Sequence, residues 1–298
     1  MSDQAFAHGP STLRLGDLEV RRLGYGAMRL PGPEVWGEPK DPAQARAVLQ
    51  RAVALGVNLI DTAWYYGPFV ANRLIAEALH PYPKDLVLAT KLGGARRDDK
   101  SWYSFIRPEQ LREGAQHDLR TLKRDHLDVV HLRYMKSEVS FAESLDALIA
   151  MKSEGLLRHI ALSNVGVKEL EQALAKTEIV AVQNFFNIGG GGGPIAKMTH
   201  AEVDDPEGVL DFCTARGIAY LPFFPLAMGN VGQAHPGLAE VAKRHGASVA
   251  QIGIAWLLAR SKVMLPIPGT SSLAHLEENW AAREIALSPD DMATLTKK

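Results

Sequence analysis

The chain has 298 residues, 46% of them hydrophobic and 22% charged, which supplies apolar side chain for a sizeable core and excludes a disordered polymer. Its 33 basic and 34 acidic residues leave a formal charge of −1, so no bulk field draws it to nucleic acid or to an anionic membrane. One cysteine, Cys213, rules out an internal disulfide and a cysteine-built zinc site, and the start MSDQAFAHGP reads as neither an export signal nor a membrane span. The expectation is a cytoplasmic protein with a small-molecule partner and no metal.

Residues 1–11 read as a flexible start. Thr12 to Arg21 then alternates apolar and charged residues around Gly16-Asp17, the pattern of a hairpin that would plug one end of a barrel. Short apolar runs follow at Arg22–Gly26, Asn58–Asp61, Leu86–Thr90, Leu127–Leu132, His159–Leu162, Val180–Asn184, Ala219–Pro222 and Met264–Ile267, eight candidate strands. Helical patterns separate them. One opens at Asp41-Pro42 and closes at Leu55-Gly56, another opens at Arg107-Pro108-Glu109, and more run over Phe141–Ser153, Val167–Lys176, Pro206–Arg216 and Ser248–Arg260. Eight strand–helix repeats predict an α/β fold, a closed (β/α)8 TIM barrel formed as one domain over residues 1–298, because closure leaves no unpaired edge. Lys91–Ile106 and Ile188–Asp205 read as loops. The second holds Gly189–Gly193, a stretch with full backbone freedom that reads as a mobile lid or as an insertion-tolerant surface loop.

In such a barrel the chemistry sits at the C-terminal ends of the strands. The second run ends in Ile60-Asp61-Thr62-Ala63 and continues through Trp64-Tyr65-Tyr66-Gly67, while the third ends in Thr90-Lys91. A carboxylate, a phenol and an ammonium on neighbouring strand ends form a natural proton-transfer cluster: the ammonium favours the phenolate, and the carboxylate aims the lysine.

Asp61-Thr-Ala-x-x-Tyr66-Gly followed by Thr90-Lys91 resembles the aldo-keto reductase superfamily, and the resemblance runs from Leu23-Gly-Tyr-Gly-Ala-Met to Ile267-Pro-Gly-Thr-Ser-Ser-Leu-Ala-His-Leu-Glu-Glu-Asn279. It implies an NADPH-dependent reductase of aldehydes or ketones, with Tyr66 as proton donor, Lys91 lowering its pKa and Asp61 holding Lys91. It also implies that Ser163, Asn164 and Gln183 hold the nicotinamide carboxamide, and that Phe223 stacks on the ring with Leu226 beside it. The turn Gly269, Thr270, Ser271, Ser272 together with His275 would meet the extra phosphate, and Glu278 and Asn279 the adenine. NADPH is expected over NADH, by a modest margin.

Two departures stand out. The family's fourth catalytic residue, usually histidine, falls on Arg133, five residues after Asp128. His131 faces the same way but lies about 6 to 7 Å lower along the strand, so Arg133 is the expected occupant of the site. Where the family places basic residues near the extra phosphate, this chain has Gly269 and His275. The altered fourth position leaves a nicotinamide-binding regulatory subunit as an alternative, and Lys91 as a Schiff-base former would make the chain a barrel lyase.

Overall fold

The computed structural model describes residues 6–135, 137–192 and 202–296. Strands β1 (Thr12–Leu15) and β2 (Leu18–Arg21) form the antiparallel hairpin, with Leu15 opposite Leu18 and the left-handed Gly16 in the turn. A parallel sheet follows in the order β10 (Ala219–Tyr220), β9 (Ala181–Gln183), β8 (Leu157–Ser163), β7 (Leu127–Arg133), β5 (Val87–Arg96), β4 (Leu59–Asp61) and β3 (Tyr25–Gly26). Residues 263–267 close the ring. The Leu265 N–H bonds to Tyr220 O and the Gly24 N–H to Pro266 O, each at 2.9 Å. The protein therefore has the TIM-barrel fold with an N-terminal hairpin, although the eighth run, Met264–Ile267, makes a single bridge to Tyr220 rather than a full strand.

Period-two alternation sorts the strands into an inner and an outer face. Leu59, Val87, Ala89, Val129, Ala161 and Ala181 share one core cluster inside the ring, whereas Ile60, Leu88, Val130, Ile160 and Val182 pack outward with the helices. Leu15 and Val20 of the hairpin belong to the inner cluster and are fully buried, so the hairpin stoppers the N-terminal end. Its turn is held there by Asp17, which pairs with Arg158 at 2.7 Å and His159 at 2.6 Å.

Helix boundaries follow local chemistry. Asp41 caps Pro42–Leu55 by accepting from Gln44 N at 2.9 Å, and Gly56, with φ of 109°, ends it. Ser248 caps Val249–Arg260 in a reciprocal box with Gln251. No helix among the described residues is long and apolar enough to cross a membrane.

Two expectations are corrected. Lys91–Ile106 is not simply a loop: β5 runs on to Arg96 and pairs antiparallel with β6 (Trp102–Phe105), which props aromatic side chains over the mouth of the barrel. Residues 6–11 are tied down rather than loose. The wholly buried Arg22 donates to carbonyl oxygens, among them Pro10 O, Leu258 O and Ser261 O, and recruits His8 O as well, because a buried guanidinium must satisfy its donors. Of the Gly189–Gly193 run, Gly189 and Gly190 lie in a turn closed on Asn187, whose O accepts from Gly190 N and whose Oδ1 accepts from Gly189 N, each at 2.8 Å. Residues 193–201 and 1–5 lie outside the described residues.

Candidate active site

The inward alternation carries polar residues as it reaches the C-terminal rim. Asp61 continues from Leu59, Lys91 from Ala89, Ser163 from Ala161 and Gln183 from Ala181. Both members of the pair are almost wholly buried, and Lys91 Nζ donates to Asp61 Oδ1 at 2.5 Å and to Thr62 O at 2.9 Å. Gln183 Nε2 donates to the other carboxylate oxygen at 2.8 Å. Asp61 thus has each oxygen engaged, and a buried carboxylate is stable only when so met.

Tyr66 leaves β4 by way of Thr62-Ala63-Trp64-Tyr65 and returns over the pair, placing its ring centroid 5.1 Å from Lys91 Nζ. The lowered phenol pKa expected of Lys91 is not what the site produces. Burial raises Tyr66 well above its ordinary value, Asp61 raises it further, and the cation that opposes the shift is Arg133. The Asp61 carboxylate bonded to Lys91 opposes the field of the ammonium at the phenol.

Arg133 and His131 occupy different layers. Arg133 stands in register with Ser163 at the cleft, its guanidinium 5.8 Å from the Trp102 ring and 5.9 Å from the Phe223 ring. His131 pairs in register with Lys91 one inward step below and is fully buried. Its Nδ1 lies 3.3 Å from Thr90 O and its Nε2 meets no protein partner. Burial pushes the imidazole down to about 4, partly offset by Asp61.

The residues expected to hold a nicotinamide fit one. Among the described residues Ser163 Oγ and Gln183 Oε1 are buried without a partner, a hydroxyl and an acceptor that suit a carboxamide. Phe223 and Leu226, both half-buried, line the same cleft. Asn164 adopts a left-handed backbone, φ 60°, as the chain turns out of β8. The turn after residue 267 is fixed by Tyr25 OH donating to Thr270 O at 2.5 Å and by Ser272 N–H donating to Thr270 Oγ1 at 3.1 Å. Ser272 caps the helix Leu273–Ala281, leaving Ser271 and His275 exposed. Gly269 replaces a basic residue for a steric reason: a Cβ there would sit 2.4 Å from Gly26 O. Glu278 is committed elsewhere, its carboxylate accepting from Ser248 Oγ and its main-chain oxygen from Gln251 Nε2, and Asn279 is buried. The two are not spread on an open polar face.

Three further residues join the cleft that the sequence did not single out. Trp102 arrives on β6, Tyr65 presents a buried hydroxyl with no protein partner, and Arg29 lines the cleft with its Cγ beside Gly269. Only Tyr65 carried a local signal, standing inside the Trp-Tyr-Tyr run.

The profile of the aldo/keto reductase family matches residues 22–298. The chain is 45% identical over 291 residues to a pyridoxine 4-dehydrogenase of Escherichia coli, covering 96% of this chain and 97% of the other. A thermostable aldo-keto reductase solved with the inhibitor epalrestat superposes with a TM-score of 0.79 at 29% identity, over 96% of this chain and 98% of that one. An aldo/keto reductase from Klebsiella pneumoniae, solved with NADP and acetate, superposes with a TM-score of 0.73 at 24% identity, over 96% and 94%. Motif, barrel and site agree: the chain belongs to the aldo/keto reductase family and is an NAD(P)-dependent oxidoreductase.

Proposed function

We propose that the protein reduces an aromatic aldehyde of the pyridoxal type to its alcohol, with NADPH as reductant and Tyr66 as proton donor. The observation that carries the chemistry is the buried Lys91–Asp61 pair at 2.5 Å beneath the Tyr66 ring, next to the unpartnered Ser163 Oγ and Gln183 Oε1. When bound against those two residues, NADPH supplies the hydride taken up by the carbonyl carbon. Tyr66 gives its proton to the carbonyl oxygen. The phenol is protonated at neutral pH, as a proton donor in the reductive direction must be. Lys91 and Asp61 hold the base of the site rigid and water-free, and Gln183 ties Asp61 to the cofactor face.

The substrate class rests on two supports. A relative 45% identical is named for pyridoxine, whose aldehyde is a flat ring bearing an ionised oxygen beside the reacting carbon. In this chain Trp102, Tyr65 and Phe223 wall the cleft, and Arg133 brings a permanent cation between two of them. A guanidinium holds an anionic oxygen through charge-assisted hydrogen bonds.

The test is NADPH oxidation with pyridoxal against pyridine-4-carboxaldehyde, which lacks the ring oxygen. Pyridoxal should lead in kcat/KM by about tenfold or more, since a hydrogen bond to a charged group contributes about 1.5–3 kcal/mol. In Arg133→His that ratio should collapse; an unchanged ratio refutes the assignment of Arg133, and no NADPH oxidation with any aldehyde refutes the reductase reading.

A further inference from the structure

Behind the active site, on the outer face of the barrel, lies a carboxylate that the proposed chemistry does not use. Asp118 sits on the inner side of the helix Pro108–Leu122 among Leu111, Ala115 and Leu122, with no exposed surface. Its Oδ1 accepts from Asn72 Nδ2 at 2.6 Å and its Oδ2 from Thr90 Oγ1 at 2.7 Å. Asn72, itself fully buried on the helix Val70–Leu79, accepts through Oδ1 from Thr62 Oγ1 at 2.8 Å. Thr62 follows Asp61, and its carbonyl takes the second bond of the Lys91 ammonium at 2.9 Å. Thr90 precedes Lys91 in β5.

The contacts close a ring. From Lys91 Nζ it passes to Thr62 O, along Thr62 to Asn72, on to Asp118, back to Thr90 and through one peptide to Lys91. Because Asp61 and Lys91 point inward, Thr62 and Thr90 point outward by strand alternation, so one carboxylate grips the two backbone points from which the buried pair projects. Packing alone gives no reason for it. Apolar side chains at a helix–sheet interface are as stable as a satisfied buried carboxylate or more so, whereas buried polar networks specify one geometry.

We propose that Asp118 is a positioning residue: through Thr90 on one side and through Asn72 and Thr62 on the other, it fixes Lys91 beneath Tyr66. This rests on the reductase reading for its kinetic test and on geometry alone for its structural one. In NADPH oxidation with pyridoxal, Asp118→Ala and Thr90→Val should lower kcat about ten- to hundredfold while KM and the NADPH Kd stay within twofold. Asp118→Asn and Thr90→Ser, which can keep the ring of hydrogen bonds, should retain at least about a third of wild-type kcat. Thr90→Val changes one buried hydroxyl for a methyl and decides the matter if Asp118→Ala does not fold. Turnover of Thr90→Val within twofold of wild type, a parallel loss of NADPH affinity, or an Asp118→Asn as impaired as Asp118→Ala would each overturn the proposal. A wild-type protein that oxidises no NADPH refutes the reductase reading instead, and then the crystal structure of Thr90→Val decides: displacement of Lys91 Nζ from Thr62 O supports the role, and an unmoved Lys91 overturns it.

Discussion

The two ends of the barrel solve opposite problems with the same strands. At the N-terminal end the hairpin drives Leu15 and Val20 into the ring, and charged groups there find protein partners, Asp17 with Arg158 and His159 and Arg22 with a cluster of carbonyls. At the C-terminal end Tyr65 OH, Ser163 Oγ, Gln183 Oε1 and His131 Nε2 are buried without a partner among the described residues. Each such atom costs about 1–3 kcal/mol when left unmet. At the hairpin end His159 Nδ1 is buried in the same way, so the cost is concentrated at the C-terminal end, where a ligand can repay it, and substitutions at the two ends should separate activity from stability.

The largest expected separation is at Tyr66. Tyr66→Phe should lower kcat by about 10²- to 10⁴-fold, the usual contribution of a positioned proton donor, with NADPH binding by fluorescence titration within twofold of wild type. Retained turnover would remove Tyr66 from its role. The converse belongs to the plug: Leu15→Ala should cost about 2–5 kcal/mol in denaturant unfolding, with kcat of the folded fraction unchanged within twofold. A hairpin variant that keeps its stability but loses turnover would break the division of labour.

Smaller effects sharpen it through pH. His131 is pushed down to about 4 by burial, so its neutral form is the one the fold prefers. Its contribution is complete above about pH 6.5 and is lost as pH falls through about 4, of order 3 kcal/mol for a shift of this size. Asp118 runs the other way. Burial raises it to about 7 against the hydrogen bonds of Thr90 and Asn72 and the charge of Lys91, so its contribution is complete below about pH 4 and is lost as pH rises through about 7. Unfolding curves from pH 4.5 to 8 should therefore show His131→Gln gaining on wild type toward acid and Asp118→Asn gaining toward alkali. Parallel curves for either variant would show that its group does not titrate differently on folding.

What the sequence revealed follows the same line. Asp61 and Lys91 were legible because each follows a short, regular apolar run, and Ser163 and Gln183 through the resemblance to the family. The β6 strand was hidden by Arg96 to Lys100, a polar turn of the kind that reads as loop, and by the half-buried face of Trp102–Phe105, which has no apolar partner nearby in the chain. Arg22, Arg29 and Asp118 depend on groups far along the chain or across a helix. Asp118 falls on the helical spacing of Leu111, Ala115 and Leu122, so its face is readable, but nothing local in the sequence names Thr90 and Asn72 as the groups that meet it.

The smallest effect concerns the cofactor's far end. Gly269 has no room for a side chain, so under the proposed function the extra phosphate of NADPH would be met by hydroxyls, His275 and the capped helix start. Ser271 and His275 are exposed there. Neutral hydrogen bonds contribute about 1 kcal/mol each, so NADPH should bind about five- to tenfold more tightly than NADH, and Ser271→Ala and His275→Ala should each narrow that ratio. Arg29 lies between this turn and the catalytic cleft, where it lines both the active-site cavity and the neighbouring one that reaches Ser271. Under the proposed function its charge would act on the phosphates common to both cofactors. Arg29→Ala should therefore weaken NADPH and NADH by a similar factor, more so at low salt, and leave their ratio unchanged. A loss confined to NADPH would place Arg29 on the extra phosphate, in the role denied to Gly269. Equal affinities for the two cofactors in the unaltered protein would show that the hydroxyl-lined turn does not discriminate.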